Sequence, residues 1–267
     1  MKGTFTPTAE AKALSKAPHF QHDSTPVVVR FSNSTGIPVI PDTDSNSVPR
    51  GFAVRFMYDG EHKHTDIIGH STPHFPVRTG HDFLEFFTAI LGGKAGEYVS
   101  THASTAAFVT APKPFAASFA TESYYALNAF KFTAPDGSEQ FVRYQVKPAA
   151  GNAYLSDEEV KAKSADYEFE ELADRLKKGP IELLLYAQLA EEGDPTDDVT
   201  QQWPDDRKQV LLGKIVLDAL DEDSVKNQKH LIFDPIPRVE GVVESDDPIL
   251  DFRAALYLIS GRERRKA

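Results

Sequence analysis

The sequence predicts an α+β protein built around an antiparallel sheet or a closed barrel. Short β-branched and aromatic runs recur along the 267 residues, helical patterns stand apart from them, and no regular β–α–β alternation links the two. A chain of this length buries about three quarters of its unfolded surface, so a hydrophobic core can form without crosslinks. No internal repeat, low-complexity tract or domain boundary is evident.

The first half of the chain is predicted to contain a hairpin between helical segments. Three consecutive valines favour a strand at 27–32. Asp59-Gly60 is a hairpin turn between the alternating runs 51–58 and 65–68. Residues 34–50 hold three prolines and are predicted to form a long loop. The helical segments lie at 9–16, 82–91, 98–109 and 118–125.

The second half is predicted to combine four strands with two helices. Pro135-Asp136-Gly137 is a turn between two of the strands, and Gly179-Pro180 ends the predicted helix at 168–178. Asp246-Asp247-Pro248 is a cap at the start of the last helix. The strands lie at 129–133, 139–147, 181–189 and 210–217, and the helices at 168–178 and 246–265.

The composition excludes several classes of function. A formal net charge of −11 disfavours nucleic acid and anionic membranes as partners. The absence of cysteine excludes disulfides, thiolate catalysis, iron–sulfur clusters and sulfur-bound zinc. No apolar run approaches the roughly 20 residues that span a bilayer, and the first residues do not resemble a signal peptide. The sequence as given therefore predicts a cytoplasmic protein, and a periplasmic one only if a signal peptide lies upstream.

Arginines provide two candidate binding patterns. Arg253 and Tyr257 are four positions apart on the last predicted helix, so their side chains share one face. A tyrosine with the ordinary pKa of about 10 needs roughly 4 kcal/mol to ionise at neutral pH, which a ferric ion and an adjacent guanidinium can supply. Taken alone, the pair is equally typical of an amphipathic surface helix. Arg30, Arg50 and Arg55 can clamp carboxylates or phosphates, or they are ordinary surface charges on strands.

Histidines and phenylalanines form two further clusters. The histidines lack the spacing of a metal-ligand set, which favours a loop of solvated side chains. The phenylalanines can wall a flat apolar cofactor or pack in an ordinary core. The two clusters are His62, His64, His70, His74 and His81, and Phe75, Phe83, Phe86 and Phe87.

The order of several motifs along the chain resembles the haem-catalase family. The sequence VRFS at 29–32 precedes PRGFAVRF at 49–56 and DIIGHSTPHF at 66–75. Further along, WP at 203–204 precedes VLLGKIVL at 210–217, LIFDP at 231–235 and GVVESDDP at 241–248. Arg253-x-x-x-Tyr257 completes the series. The resemblance covers nearly the whole chain and is strongest for the short catalase-related peroxidases.

The resemblance implies a single catalase-like core domain over residues 1–267. Its fold would be an antiparallel eight-stranded β-barrel with flanking α-helices, and haem b would lie buried between them. Tyr257 would be the axial phenolate on the haem iron, a ligation typical of catalases. Arg253, one helical turn earlier, would keep that phenolate anionic.

The resemblance also implies roles for five other residues. Arg30 and Arg264 would hold the haem propionates. Ser32 would lie in the distal pocket, where peroxide binds. Phe75 and Phe83 would wall the haem face and the peroxide channel.

Two departures from the family pattern bear on catalysis. The family's distal histidine lies in a His-Ala-Lys-Gly-like segment just before a Gly-x-Phe, which Gly3-Thr4-Phe5 matches, so we expect the N-terminal distal-His segment to be missing from this sequence. Large catalases carry asparagine at the position of His70, and His70 can take over that residue's hydrogen bond to peroxide. Because a positioned acid–base group contributes about 10²–10⁴-fold, we expect this chain to bind haem and turn over peroxide slowly.

The leading hypothesis is a haem peroxidase that reduces hydrogen peroxide or small organic peroxides in defence against oxidative stress. An organic reductant is the expected second substrate, and neither nucleic acid nor a membrane is an expected partner. One alternative is a haem-binding barrel without peroxide turnover. Another is a haem-free barrel for a different apolar ligand, which predicts no Soret band after reconstitution. The sequence leaves open whether the chain forms a homo-oligomer.

Overall fold

The computed structural model describes residues 1–33, 37, 39–60 and 63–266, and within these residues it contains nine strands and nine α-helices. The strands are β1 (Lys2–Pro7), β2 (Thr25–Asn33), β3 (Arg50–Asp59), β4 (Lys63–His70), β5 (Tyr124–Thr133), β6 (Glu139–Pro148), β7 (Ile181–Leu189), β8 (Gln209–Ala219) and β9 (Val242–Glu244). The helices are α1 (Ala9–Leu14), α2 (Pro18–Gln21), α3 (Gly80–Leu91), α4 (Ala95–Thr101), α5 (Ala103–Thr110), α6 (Asp157–Lys161), α7 (Tyr167–Leu176), α8 (Ser224–Asn227) and α9 (Pro248–Lys266).

Strands β1 to β8 close into an antiparallel barrel. Strand β1 pairs with β2 on one side and with β8 on the other, and the remaining neighbours follow chain order. The barrel closes where β4 meets β5, through the residue pair His70 and Tyr125. Strand β9 pairs with β5 further along, through Phe130, Lys131 and Phe132. The predicted fold, an eight-stranded barrel with flanking helices, is confirmed.

Alternation along the strands separates the core from the site. In β2, Val27, Val29 and Phe31 are buried and point into the barrel. Because successive side chains of a strand point to opposite faces, Arg30 and Ser32 lie on the outer face. The barrel interior is filled by aliphatic and aromatic side chains, and Phe52 packs against Tyr124 with ring centroids 5.0 Å apart.

The two helices that cover the outer face have well-defined N-termini. At α3, Thr79 and Asp82 form a capping box, each side chain accepting a hydrogen bond from the other's backbone N–H. At α9, the Asp247 carboxylate accepts from the backbone N–H of Ile249 at 3.1 Å, and Pro248 follows that cap. Within the ranges that the structure describes, no helix combines the length and apolar character that a bilayer span requires.

Two of the predicted helical segments are wrong in part. The segment 118–125 contains only a short 3₁₀ turn, Phe119–Thr121, because β5 already begins at Tyr124. The helical segment 98–109 is divided between α4 and α5 at His102, which has an extended backbone. Strand β1 was not predicted, since its six residues end in proline and bury only Phe5. Its pairing with β2 and β8 is non-local, and no local pattern encodes such a contact.

A buried carboxyl beside the barrel makes stability depend on pH. Glu122 is 4% exposed and accepts hydrogen bonds from the Ser123 backbone N–H at 2.8 Å and the Tyr154 hydroxyl at 3.1 Å. Burial raises the pKa of Glu122 to about 7. The folded state therefore binds a proton that the unfolded state releases near pH 4.5, and stability falls as pH rises through this interval.

We expect the Glu122→Gln variant to lose this part of the pH dependence. The wild-type free energy of unfolding should fall by about 3 kcal/mol more than that of the variant between pH 4.5 and pH 8. Urea unfolding at both pH values measures the difference. The exposed control Glu192→Gln should show the same pH dependence of the free energy of unfolding as the wild type. The same pH dependence for Glu122→Gln and the wild type would contradict a role for Glu122.

Candidate active site

A cavity of about 370 Å³ lies between the outer face of the barrel and helices α3 and α9. It falls within the size range of small-molecule and cofactor sites, and its wall is mostly apolar. The structure brings together seven of the eight candidate residues along this wall. They are Arg30, Ser32, His70, Phe75, Phe83, Arg253 and Tyr257. Arg264 does not line the cavity.

Strand register positions one side of the cavity. Ser32 lies opposite Gly51, Gly51 lies opposite His70, and His70 lies opposite Tyr125. These four residues form a row across β2, β3, β4 and β5. Because Gly51 has no side chain, the row leaves space between Ser32 and His70, and that space belongs to the cavity.

A series of hydrogen bonds connects the Tyr257 hydroxyl to buried polar residues. Arg253 Nη2 donates to Tyr257 Oη at 3.2 Å, and Arg253 Nη1 donates to Asn128 Oδ1 at 2.5 Å. Asn128 Nδ2 in turn donates to Asp247 Oδ2 at 3.0 Å. Asn128 and Asp247 are almost completely buried, so the arginine is held in one orientation. The Arg253 guanidinium and the Tyr257 hydroxyl are therefore held side by side at the cavity wall.

The sequence did not reveal Asn128 and Asp247 as members of the site. Asp247 was recognised only as a helix cap, a role it performs with its other carboxylate oxygen. Asn128 lies in β5 and is distant from Arg253 along the chain, so their contact depends on how α9 lies across the barrel. No local signal in the sequence identifies Asp247 as a partner of Asn128, because the two residues are 119 positions apart and meet only in the fold.

Arg30 is a partly buried cation that forms no ion pair among the described residues. Within the described residues its guanidinium makes no hydrogen bond or ion pair, its Nε is buried, and it lies 4.9 Å above the ring of Phe233. Burial lowers the pKa of Arg30 and Arg264 adds to that shift, whereas the nearby Tyr257 and Asp66 oppose it. An uncompensated, partly desolvated guanidinium is a ready position for an anionic group.

Arg264 lies near Arg30 but behind the cavity wall. Its Nη1 donates to the Gln228 carbonyl at 2.9 Å, and its Nη2 donates to the Leu231 carbonyl at 3.3 Å. Its Nε is buried and has no hydrogen-bond partner in the part of the chain that the structure describes. The buried Nε atom of Arg30 therefore leaves a donor unused at the cavity, and that of Arg264 leaves one unused outside the cavity lining.

His70 is a neutral hydrogen-bond donor. The backbone N–H of Thr72 donates to His70 Nδ1 at 3.4 Å, which leaves the ring proton on Nε2. Burial lowers the pKa of His70 to about 3, and the charges of Arg253 and Lys113 add to that effect. Among the described residues, His70 is the one histidine that lines the cavity.

Aromatic rings form the outer part of the cavity wall. Phe75 and Phe83 are nearly parallel, with centroids 6.3 Å apart and an interplanar angle of 14°. Phe83 also contacts Phe252 of α9, with centroids 6.2 Å apart. Phe86 is buried and contacts Tyr98, so it does not belong to the cavity wall. The phenylalanine cluster is therefore divided between the cavity wall and local packing.

The remaining candidate patterns have structural explanations. Arg50 is fully buried and pairs with Glu168 at 2.5 Å, and Arg55 binds Asp66 through two hydrogen bonds of 2.8 and 2.7 Å. The interpretation of these arginines as surface charges is therefore wrong.

The histidine cluster is not one solvated loop. His64 and His70 belong to β4, His81 belongs to α3, and His62 lies outside the described residues. Over residues 1–33, 37, 39–60 and 63–266, no group of three or more histidine, aspartate or glutamate side chains is arranged to hold a metal ion.

The whole chain is similar to known proteins of one family. The family model described as "Catalase" matches residues 1–266. A catalase-related peroxidase of Mycolicibacterium paratuberculosis is 33% identical over 272 residues, which cover 98% of this chain and 85% of that protein. A catalase-related peroxidase of Synechococcus elongatus is 32% identical, over 99% of this chain and 80% of that protein.

Solved structures share the fold. A fungal catalase and a bacterial catalase each superpose with a TM-score of 0.84 and 23% identity over 98% of this chain. This chain spans only 57% and 55% of those two chains. At that identity the superposition establishes the fold, and the family model and the two peroxidase relatives establish the family. The chain belongs to the catalase family.

Proposed function

We propose that this protein is a haem-dependent peroxidase that reduces hydrogen peroxide or small organic peroxides. As a member of the catalase family it is a peroxide-acting oxidoreductase. The observation that carries the proposal is the hydrogen bond from Arg253 to the Tyr257 hydroxyl on the cavity wall. A guanidinium that donates to a phenol oxygen is the arrangement expected where that oxygen binds iron as an anion.

The residues present fit haem b. The cavity offers an apolar wall, a phenol oxygen supported by Arg253, and an unpaired guanidinium at Arg30. The buried Nε atoms of Arg30 and Arg264 lack partners in the described structure, and the two propionates of haem b are carboxylates that can accept from them. Tyr257 would bind the iron, and Arg30 and Arg264 would bind the propionates.

When bound, haem supplies the iron at which the peroxide O–O bond breaks. The chain's own residues bind and orient the substrate. His70 donates a hydrogen bond from Nε2 to a peroxide oxygen, and Ser32 can donate from the same row of residues. Phe75 and Phe83 limit the access of water to the cavity. An organic reductant is the proposed second substrate, and defence against oxidative stress is the proposed role.

We expect haem-loaded protein to oxidise a phenolic donor in the presence of peroxide, and haem-free protein not to do so. Removing the His70 donor by His70→Ala should lower kcat/KM for peroxide roughly 2–10-fold, the value of one neutral hydrogen bond. His70→Asn keeps an N–H donor and should stay within about 3-fold of wild type. Haem-loaded protein that oxidises no donor with any peroxide would refute the proposal.

A second candidate function is haem binding with negligible peroxide turnover. His70 favours it, because a neutral imidazole with a pKa of about 3 is too weak a base to move a proton between the two peroxide oxygens. Without another acid–base group the rate is lower by about 10²–10⁴-fold. A normal haem spectrum combined with turnover no faster than free haem would select this second function.

A further inference from the structure

Tyr154 joins the protein surface to a buried carboxyl group. It is the most exposed of the tyrosines, all of which lie in the described ranges, and 46% of it is accessible. Its hydroxyl donates to Glu122 Oε1 at 3.1 Å and accepts from Asn152 Nδ2 at 3.0 Å. Glu122 is buried, and no other tyrosine hydroxyl in the described structure donates to a carboxylate. Tyr154 is thus an accessible phenol whose proton has a buried acceptor.

The loop that carries Tyr154 is fixed to the residues just before β5. The Ala153 backbone N–H donates to the Thr121 carbonyl at 3.1 Å. The Ser123 hydroxyl donates to Asn152 Oδ1 at 3.0 Å. These bonds lie on both sides of the phenol–carboxylate contact along each segment, so the contact has a defined geometry.

Tyr125 lies near both this pair and the haem cavity. It is three positions after Glu122, lines the cavity and closes the barrel with His70. Burial and the charges of Glu122 and Tyr125 raise the pKa of Tyr154 to about 12. Burial and the charge of Glu122 also raise the pKa of Tyr125. The two phenols and the carboxyl group are therefore neighbours between the cavity and the surface.

A bulky reductant needs a reaction site outside the haem cavity. The cavity measures about 370 Å³, and bound haem b would occupy most of it. Peroxide or a small phenol fits the space that is left, whereas a large phenol does not. The electrons of a large reductant must therefore enter the protein at its surface.

Glu122 is a suitable base for the oxidation of Tyr154. A phenol that loses an electron becomes a strong acid and releases its hydroxyl proton. A base accepts such a proton when it lies within about 2.6–3.2 Å, and Glu122 Oε1 meets that condition at 3.1 Å. Burial raises the pKa of Glu122 to about 7, so its carboxylate form is present near neutral pH. Before oxidation the proton stays on Tyr154, because the pKa of this phenol is higher.

We propose that Tyr154 is the residue at which a bulky phenolic reductant is oxidised, with Glu122 as proton acceptor and Tyr125 as the electron carrier toward the haem cavity. The inference rests on the proposed function and adds the place at which the second substrate reacts. It makes Tyr154 a catalytic residue that touches the reductant and not the peroxide.

Electrons and protons balance over two turns of this site. In one turn, Tyr154 gives one electron to Tyr125, its O–H bond breaks, and the proton passes to Glu122 Oε1. The reductant then returns one electron to the tyrosyl radical, Glu122 returns the proton, and the phenolic proton of the reductant passes to water. Two turns use two reductant molecules. Their two electrons, with two protons from water, convert one molecule of hydrogen peroxide into two of water.

The test compares free tyramine with tyramine coupled to dextran as reductants of haem-loaded protein, with hydrogen peroxide as the oxidant. Dextran keeps its phenols out of the cavity. Tyr154→Phe should lower the rate with dextran-bound tyramine about 10–100-fold, because a phenyl ring has no hydroxyl proton to release. Glu122→Gln should lower it about 10-fold, since the amide accepts a hydrogen bond but no proton. Tyr125→Phe, which interrupts the route to the cavity, should reproduce the loss. Free tyramine also reaches the cavity, so its rate should fall less in all three variants.

Tyr186→Phe is the matched control. Tyr186 is a partly exposed tyrosine of β7 whose ring lies 4.9 Å from Lys147 Nζ, and its hydroxyl donates to no carboxylate among the described residues. Its loss should leave both rates unchanged. Equal losses with the two reductants in Tyr154→Phe would overturn the inference. So would a loss in Tyr186→Phe as large as that in Tyr154→Phe.

A measurement on haem-free protein separates this inference from the proposed function. Light and a ruthenium tris-bipyridine complex with persulfate oxidise exposed tyrosines, and a nitroso spin trap followed by peptide mapping locates the radicals. The adduct should form mainly at Tyr154, and Glu122→Gln should lower its yield at least about 3-fold, because the proton acceptor is lost. This result supports the inference even if haem-loaded protein oxidises no reductant, an outcome that contradicts the proposed function alone. A yield at Tyr154 that is indifferent to Glu122→Gln, or no greater than the yield at Tyr186, overturns the inference.

Discussion

Replacing Tyr257 by phenylalanine is expected to abolish the tyrosinate signature of the haem-loaded protein and to lower its peroxidase turnover more than any other single change. The substitution removes the hydroxyl that is proposed to bind the iron, while the ring still fills its place in the cavity wall. Removing a side chain that hydrogen-bonds to a metal ligand typically lowers activity about 10–100-fold. Removing the ligand itself should lower activity further. Visible absorption spectra and haem content measured on the same sample check both effects.

Tyr125→Phe is the control for this experiment. Tyr125 also lines the cavity and forms the barrel closure with His70, but among the described residues no arginine donates to its hydroxyl. Its loss should leave the spectrum unchanged. Asn128→Ala, which removes the acceptor that orients Arg253, should shift the spectrum partway and reduce haem affinity. An unchanged spectrum in Tyr257→Phe would show that the iron ligand lies elsewhere.

Local sequence patterns were sufficient for the elements that position the site. The hairpin of β3 and β4, the helix α3 and the helix α9 each have a turn or cap that local chemistry specifies, such as Thr79 with Asp82. Helical spacing predicted that the side chains of Arg253 and Tyr257 share one face, and the two side chains do form a hydrogen bond. Their significance came from the order of motifs along the whole chain, since the spacing of one pair is common on surface helices.

Contacts between distant segments could not be predicted in this way. The closure of the barrel depends on β1, whose six residues carry a weak strand pattern, and on one residue pair between β4 and β5. The burial of Arg50 and Arg55 likewise depends on Glu168 and Asp66, which lie far away in sequence or on a neighbouring strand. Sequence alone predicts that a charged residue on a strand is exposed, because charged side chains are buried only when they are paired.

Replacing Arg30 by methionine is expected to change binding and stability in opposite directions. Haem affinity should fall about 10–100-fold, because hydrogen bonds to a charged group contribute roughly 1.5–3 kcal/mol. The haem-free protein should become more stable by roughly 1 kcal/mol, since Arg30 is a partly buried cation that has no described counter-ion. Haem titration and urea unfolding of the haem-free protein measure the two effects separately.

The stability of the haem-free Arg55→Met variant provides the comparison for Arg30→Met. Both guanidiniums lie over the same ring, that of Phe233, at 4.9 Å for Arg30 and 5.4 Å for Arg55. Arg55 is already paired with Asp66, whose side chain is fully buried, so its removal should destabilise the haem-free protein by about 3–5 kcal/mol. Two arginines on one ring would thus respond with opposite signs, because Arg55 forms an ion pair with Asp66 and Arg30 forms none among the described residues. If Arg30→Met destabilised the haem-free protein as Arg55→Met does, Arg30 would have a structural role, and the anion site beside Tyr257 would lose its main support.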